Sequence, residues 1–159
     1  MSLVIRPAES ADVPVIADLI RGLARYEKLD DEVNMTEELL AKNLFGSRQY
    51  AETLLAEDGG APIGFALFFH NFSTFLALPG IYLEDLFVVP EYRGRGIGRA
   101  LLQRLAKIAV ERGCGRLEWS VLDWNRDAIG FYERLGAKPN SEWTVYRLAG
   151  EALTSLGRE

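Results

Sequence analysis

The stretch Leu86-Phe87-Val88-Val89-Pro90-Glu91-Tyr92-Arg93-Gly94-Arg95-Gly96-Ile97-Gly98-Arg99-Ala100-Leu101-Leu102 decides the fold. An apolar, β-branched run stops at a proline, three glycines follow on alternate positions, and a helical periodicity then begins. This order predicts a strand, a tight turn and a helix N-terminus. The first N–H groups of a helix lack partners and carry the positive end of its dipole, so such a turn suits an anion. Glycine lets the backbone come close to a ligand and adopt positive φ. The segment is therefore read as a phosphate-binding turn.

Two common phosphate loops do not fit. A P-loop needs Gly-Lys-Ser/Thr after its glycines, and no Lys-Ser/Thr pair follows here. The dinucleotide fingerprint Gly-x-Gly-x-x-Gly fails from Gly94, whose sixth position is Arg99, and from Gly96, where it is Leu101. The pattern that does fit is Arg/Gln-x-x-Gly-x-Gly/Ala, met by Arg93 to Gly98. A second element lies downstream, Asn125-Arg126-Asp127-Ala128-Ile129-Gly130-Phe131-Tyr132-Glu133-Arg134-Leu135-Gly136-Ala137. Asn125 reads as an N-cap and Gly136 as a helix stop.

Composition narrows the class. At 159 residues and 48% hydrophobic content the chain suffices for one well-buried core, expected as a single domain over 1–150 with a short tail at 151–159. The apolar part of the first residues is too short for a signal peptide, and no run approaches a membrane span, so a cytoplasmic protein without a membrane partner is expected. Cys114 is the only cysteine and His70 the only histidine, which argues against a disulfide, a zinc site and a histidine triad; no metal is expected. A net charge of −5 disfavours nucleic acid. Residues 93–112 carry six basic side chains against Glu111 alone, whereas residues 26–38 carry six acidic ones against Lys28 alone. The basic segment suits a phosphate-rich ligand and the acidic one a cationic partner, though solvated helix faces would look the same.

Strands are predicted at 3–6, 50–57, 63–69, 81–89, 116–121 and 144–148. Helices are predicted from about Asp12 to Tyr26, from Thr36, from Gly98 to Gly113 and over 125–135, with an apolar loop at 70–80. The class is α+β or α/β with a mixed sheet.

The two motifs, in this order, resemble those of the GNAT N-acetyltransferase superfamily. Outside them, Leu23-Ala24-Arg25-Tyr26-Glu27-Lys28-Leu29, Asn71-Phe72-Ser73-Thr74-Phe75 and Ile81-Tyr82-Leu83-Glu84-Asp85-Leu86-Phe87-Val88 are similar to the branch of spermidine/spermine and thialysine N-acetyltransferases. The resemblance spans about residues 3–148. It implies a mixed, mostly antiparallel sheet of six to seven strands flanked by about four helices, acetyl-CoA as co-substrate, a small amine as acceptor and a homodimer. The acidic residue that polyamine enzymes carry before the central strand has no match in Ser73–Pro79, which leans toward thialysine-type or other primary amines. Acetylation of a peptide, and coenzyme sensing without catalysis, stay open as alternatives.

The resemblance also implies residue roles. Arg93, Gly94, Arg95, Gly96, Ile97, Gly98 and Arg99 would hold the pyrophosphate. The main chain of Leu86, Phe87 and Val88, with Asn125, Asp127, Ala128 and Tyr132, would hold the rest of the coenzyme. Glu84 would act as base through water and Tyr132 as general acid; Tyr26, Glu27, Glu84, Asp85, Glu118 and Trp119 would bind the amine. An alkylamine with a pKa near 10.4 needs a proton acceptor at neutral pH. Glu84 in a strand interior is expected to have a raised pKa, with Asp85 on the opposite face by alternation.

Overall fold

The computed structural model describes residues 1–159, which form two compact units, Met1–Ser120 and Val121–Glu159. In the first, the order is β1 (Leu3–Pro7), α1 (Val13–Tyr26), α2 (Glu37–Phe45), β2 (Glu52–Asp58), β3 (Ala61–Ser73), β4 (Leu78–Val88), α3 (Ile97–Glu111) and β5 (Leu117–Trp119). The sheet order follows the chain, antiparallel from β1 to β4, with β5 added parallel to β4.

Alternation sorts the sheet's side chains between two layers. Leu55, Phe65 and Phe87 meet Ile16, Leu19 and Leu23 of α1 and Leu44 of α2, and the Phe65 and Phe87 rings pack edge-on at 6.5 Å. Burying such side chains is worth about 1.5–3 kcal/mol each. The buried stripe Leu101, Leu102, Leu105 and Ala109 of α3 covers the other face. Pro14 opens α1, where its missing N–H costs nothing. Asp12 precedes it as expected, yet its carboxylate serves Arg6 at 2.8 Å and the Glu9 N–H at 2.7 Å instead of the helix.

One irregularity shapes the centre. Leu67 pairs with Asp85, but its neighbour Phe68 pairs with Leu83, so Glu84 is an extra residue without a partner in β3. Leu67 and Phe68 point to opposite faces, and Leu83 and Asp85 therefore do too, although they are two apart. This β-bulge interrupts the alternation along β4 at Glu84. A second feature is the shortness of β5, which pairs only with Ile81, Tyr82 and Leu83. From Glu84 to Val88, β4 has no strand on that side.

Three expectations are corrected. The sheet has five strands, not six to seven, and five α-helices accompany it. The loop expected at 70–80 is largely β-hairpin, because β3 and β4 pair as far as Ser73 and Leu78. Residues 144–148 form no strand: Val145 and Tyr146 are 84% and 93% exposed, and no sheet edge accepts their backbone. In the second unit, α4 (Arg126–Arg134) matches the expected helix, and α5 (Gly150–Leu156) forms where a tail was expected. No helix is long and apolar enough to cross a membrane.

Candidate active site

The glycine turn has the geometry of an anion cradle. Pro90–Tyr92 make one short 3-10 turn, Gly94 and Gly96 adopt φ of +77° and +79°, and α3 starts at Ile97. An L side chain is strained at such φ, so glycine is required at both positions. No side chain caps α3, which leaves its first N–H groups to a ligand or water. A Cβ added at Gly94, Gly96 or Gly98 would meet no protein atom within 4 Å, so the space above the turn is open. These features fit a pyrophosphate, and Arg93, Arg95 and Arg99 lie in the same segment.

The turn is braced from outside. The Tyr92 hydroxyl donates to Asp58 at 2.8 Å, and the Arg95 guanidinium carbon lies 4.7 Å from the Tyr92 ring centre. Asp58, at the β2–β3 turn, accepts from the Ser2 N–H as well. That bond first, and the Tyr92 bond second, hold its carboxyl below the usual range. No local pattern announces this brace, because its partners are 34 residues apart.

Arg93 bends back toward α1. Its guanidinium carbon is 4.2 Å from the Tyr26 ring centre and 5.6 Å from that of Phe87, and its Nε donates to the Val88 carbonyl at 3.1 Å. It lines a cavity of about 540 Å³ whose wall also includes Gly22, Arg25, Tyr26, Phe87 and Glu91. A residue expected on the coenzyme and one expected on the amine are thus in contact.

The carboxylates separate into different roles. Asp85 is mostly buried and its carboxyl is pushed up to about 7, chiefly by burial and then by the charges of Glu84 and Glu27. Burial also raises the Glu27 carboxyl. Glu84, at the bulge, is exposed. The desolvation expected of Glu84 falls on Asp85 instead, because the bulge turns Asp85 onto the Phe87 face, against α1. Tyr26, Glu27, Glu84 and Asp85 are therefore brought into one region. Glu118 is less available: it accepts from Asn71 Nδ2 at 3.2 Å and faces Arg116 at 3.4 Å. Trp119 is half-buried on β5, opposite Leu83.

Leu86, Phe87 and Val88 lie on the length of β4 that β5 leaves uncovered, where main-chain groups can pair with an amide-bearing ligand. In the second unit, Asn125 caps α4 by accepting from the Ala128 N–H at 3.3 Å. Asp127 and Ala128 fill the first turn, and the half-buried Tyr132 packs on Phe131 with ring centres 5.5 Å apart.

Known proteins point the same way. The profile of the acetyltransferase (GNAT) family matches residues 17–137. Thialysine N-epsilon-acetyltransferase of Bos taurus is 40% identical, over 97% of this chain and 96% of its own length. L-ornithine N5-acetyltransferase of Arabidopsis thaliana is 36% identical, over 97% and 87%. Among solved structures, an integron cassette protein from the mobile metagenome of V. cholerae superposes with a TM-score of 0.84 at 29% identity, covering 100% of this chain and 99% of its own.

Proposed function

Because the chain belongs to the acetyltransferase (GNAT) family, we propose that it transfers the acetyl group of acetyl-CoA directly to the primary amine of a small aliphatic acceptor of thialysine, lysine or polyamine type. The observation that carries this is the meeting of an open anion turn, at 93–98, with the Tyr26, Glu27 and Asp85 cluster inside one unit. The names of the relatives, which include thialysine and ornithine acetyltransferases, support the acceptor class.

Acetyl-CoA supplies an activated thioester; the protein's part is to hold both reactants and move protons. The N–H groups of Gly94 to Arg99 and the guanidinium groups of Arg93, Arg95 and Arg99 hold the pyrophosphate. The uncovered edge of Leu86, Phe87 and Val88 would hold the arm; Asn125, Asp127 and Ala128, in the second unit, are coenzyme residues by the family resemblance alone. Tyr26 offers a ring face and Glu27 and Asp85 offer charge to the amine, a pairing suited to a cation. A protonated alkylamine is no nucleophile, so a proton must leave it. Glu84, exposed at the bulge, takes that proton through water, while Asp85, poised near neutrality, shares it. By the family resemblance, Tyr132 of the second unit would return a proton to the departing thiolate. Orientation of the two reactants supplies much of the acceleration.

The family match runs through both units, which supports one N-acetyltransferase domain over 1–150. Exposed Trp143, Val145 and Tyr146 support a homodimer. A cytoplasmic location, as a single cysteine suggests, goes with this reading. The test is to follow thiol release from acetyl-CoA with thialysine, lysine, ornithine, spermidine and putrescine. Turnover above hydrolysis with at least one amine is expected; none with any amine refutes the reading.

A further inference from the structure

Asp58 places a carboxylate at the edge of a turn shaped for an anion. It closes β2 opposite Ala61, and the intervening Gly59 and Gly60 take φ of +57° and +86°, which makes this hairpin tight and its register fixed. Each carboxylate oxygen has one task. Oδ1 accepts from the Ser2 N–H at 2.8 Å, and Oδ2 accepts from the Tyr92 hydroxyl at 2.8 Å, reaching from the hairpin to the residue just before Arg93. The Tyr92 ring in turn carries the Arg95 guanidinium, whose Nη2 also donates to the Glu91 carbonyl at 3.3 Å. By charge alone a carboxylate here opposes a phosphate. Asp58 and Tyr92 are only half-buried, so water can replace their bond and its loss strands no buried group. What the bond does is local: it fixes the outer side of the glycine turn.

We propose that Asp58 and Tyr92 are positioning residues for the coenzyme, their bond holding the glycine turn and Arg95 in the shape that receives a pyrophosphate before the ligand arrives. This rests on the pyrophosphate reading of the turn given above and extends it to residues outside the turn. Gly94 and Gly96 give the backbone the φ that the cradle needs, and the same freedom must be lost when a ligand binds. Ordering the turn in advance removes that loss from the binding step. Arg93 ties the inner side to the Val88 carbonyl, and Tyr92 with Asp58 ties the outer side. Arg95 is long and flexible, and laid on a fixed ring it has less freedom to give up. The carboxylate's repulsion of phosphate is offset by the order it imposes.

Calorimetric titration of coenzyme A into the wild type, Tyr92→Phe, Asp58→Ala and Asp58→Asn reads affinity without turnover. Tyr92→Phe keeps the ring and loses the bond. It and Asp58→Ala should each weaken coenzyme A about fivefold, and the double variant should be no weaker than either alone. Asp58→Asn can keep both contacts, its amide oxygen accepting from Ser2 and its NH2 group donating to the Tyr92 oxygen, and it sheds the opposing charge. It should bind as well as the wild type or better. Kinetics with S-acetylpantetheine, which lacks the pyrophosphate, separate positioning from damage to the fold. In Tyr92→Phe the KM for acetyl-CoA should rise about fivefold with kcat within about twofold, while kcat/KM for S-acetylpantetheine also stays within about twofold. Unchanged coenzyme A affinity in Tyr92→Phe and Asp58→Ala, equal losses with both thioesters, or an Asp58→Asn as weak as Asp58→Ala each overturn the proposal. A wild type that does not bind coenzyme A overturns it together with the reading of the turn. If coenzyme A binds in the expected pattern but no amine is acetylated, the acceptor reading fails and the role of Asp58 and Tyr92 is supported.

Discussion

The Arg93 guanidinium carbon lies 4.2 Å from the centre of the Tyr26 ring, which joins the glycine turn after β4 to the last turn of α1. The same side chain donates to the Val88 carbonyl, on the stretch of β4 expected to hold the coenzyme arm. Arg93 thus touches both of the regions proposed for the two substrates.

Removing it should affect both. Arg93→Ala is expected to raise the KM for acetyl-CoA about tenfold, through lost charge-assisted contacts, and the KM for the amine by a smaller factor. Arg93→Lys keeps the charge without the planar fork and should recover only part. Initial-rate kinetics with each substrate varied in turn check this; an unchanged KM for acetyl-CoA refutes it.

Asp85 sets a pH dependence. Its carboxyl is raised from 3.8 to about 7 in the folded protein, so the neutral form is favoured by folding. Stability from this group is fully present below the unfolded value and is lost as pH rises through the folded one. Asp85→Asn should therefore melt higher than the wild type at pH 8, and the gap should close at pH below 4. Melting curves across that range decide it. The acetylation rate of the wild type should also show a limb near pH 7 that Asp85→Asn lacks.

Two glycine substitutions separate fold from ligand. A Cβ at Gly64 would stand 2.7 Å from the Phe87 carbonyl oxygen, so Gly64→Ala forces β3 and β4 apart and should cost about 2 kcal/mol in urea unfolding. A Cβ at Gly98 meets nothing within 4 Å, and alanine is the better helix former. Gly98→Ala should keep or slightly raise stability yet weaken acetyl-CoA binding several-fold, because it fills open space proposed for the pyrophosphate. A Gly98→Ala enzyme with unchanged coenzyme affinity would show that the turn does not hold the ligand.

Tyr132→Phe removes one hydroxyl and keeps the ring that packs on Phe131. With Tyr132 as the proposed general acid, the variant should lose on the order of 10² in kcat, with both KM values and the melting temperature little changed. A drop confined to KM would place the hydroxyl in binding instead.

The glycine turn, the strand before it and the helix after it were legible in residues 86–102, because each depends on neighbours in sequence: β-branched residues, a proline, two positive-φ glycines and a helical stripe. The cap of α4 by Asn125 was legible for the same reason. Which of Glu84 and Asp85 is buried was not. Their chemistry is similar, and the bulge that separates them exists only through the register of β4 on β3. The Tyr92–Asp58 bond and the placing of Arg93 on Tyr26 were equally out of reach, since the partners stand 34 and 67 positions apart and only the sheet and α1 bring them together. The strand expected at 144–148 shows the converse: alternating apolar residues confer a β preference, but a strand also needs an edge to pair with. Local chemistry wrote the motifs; burial, register and charge proximity, which only the folded chain possesses, assigned the carboxylates their parts.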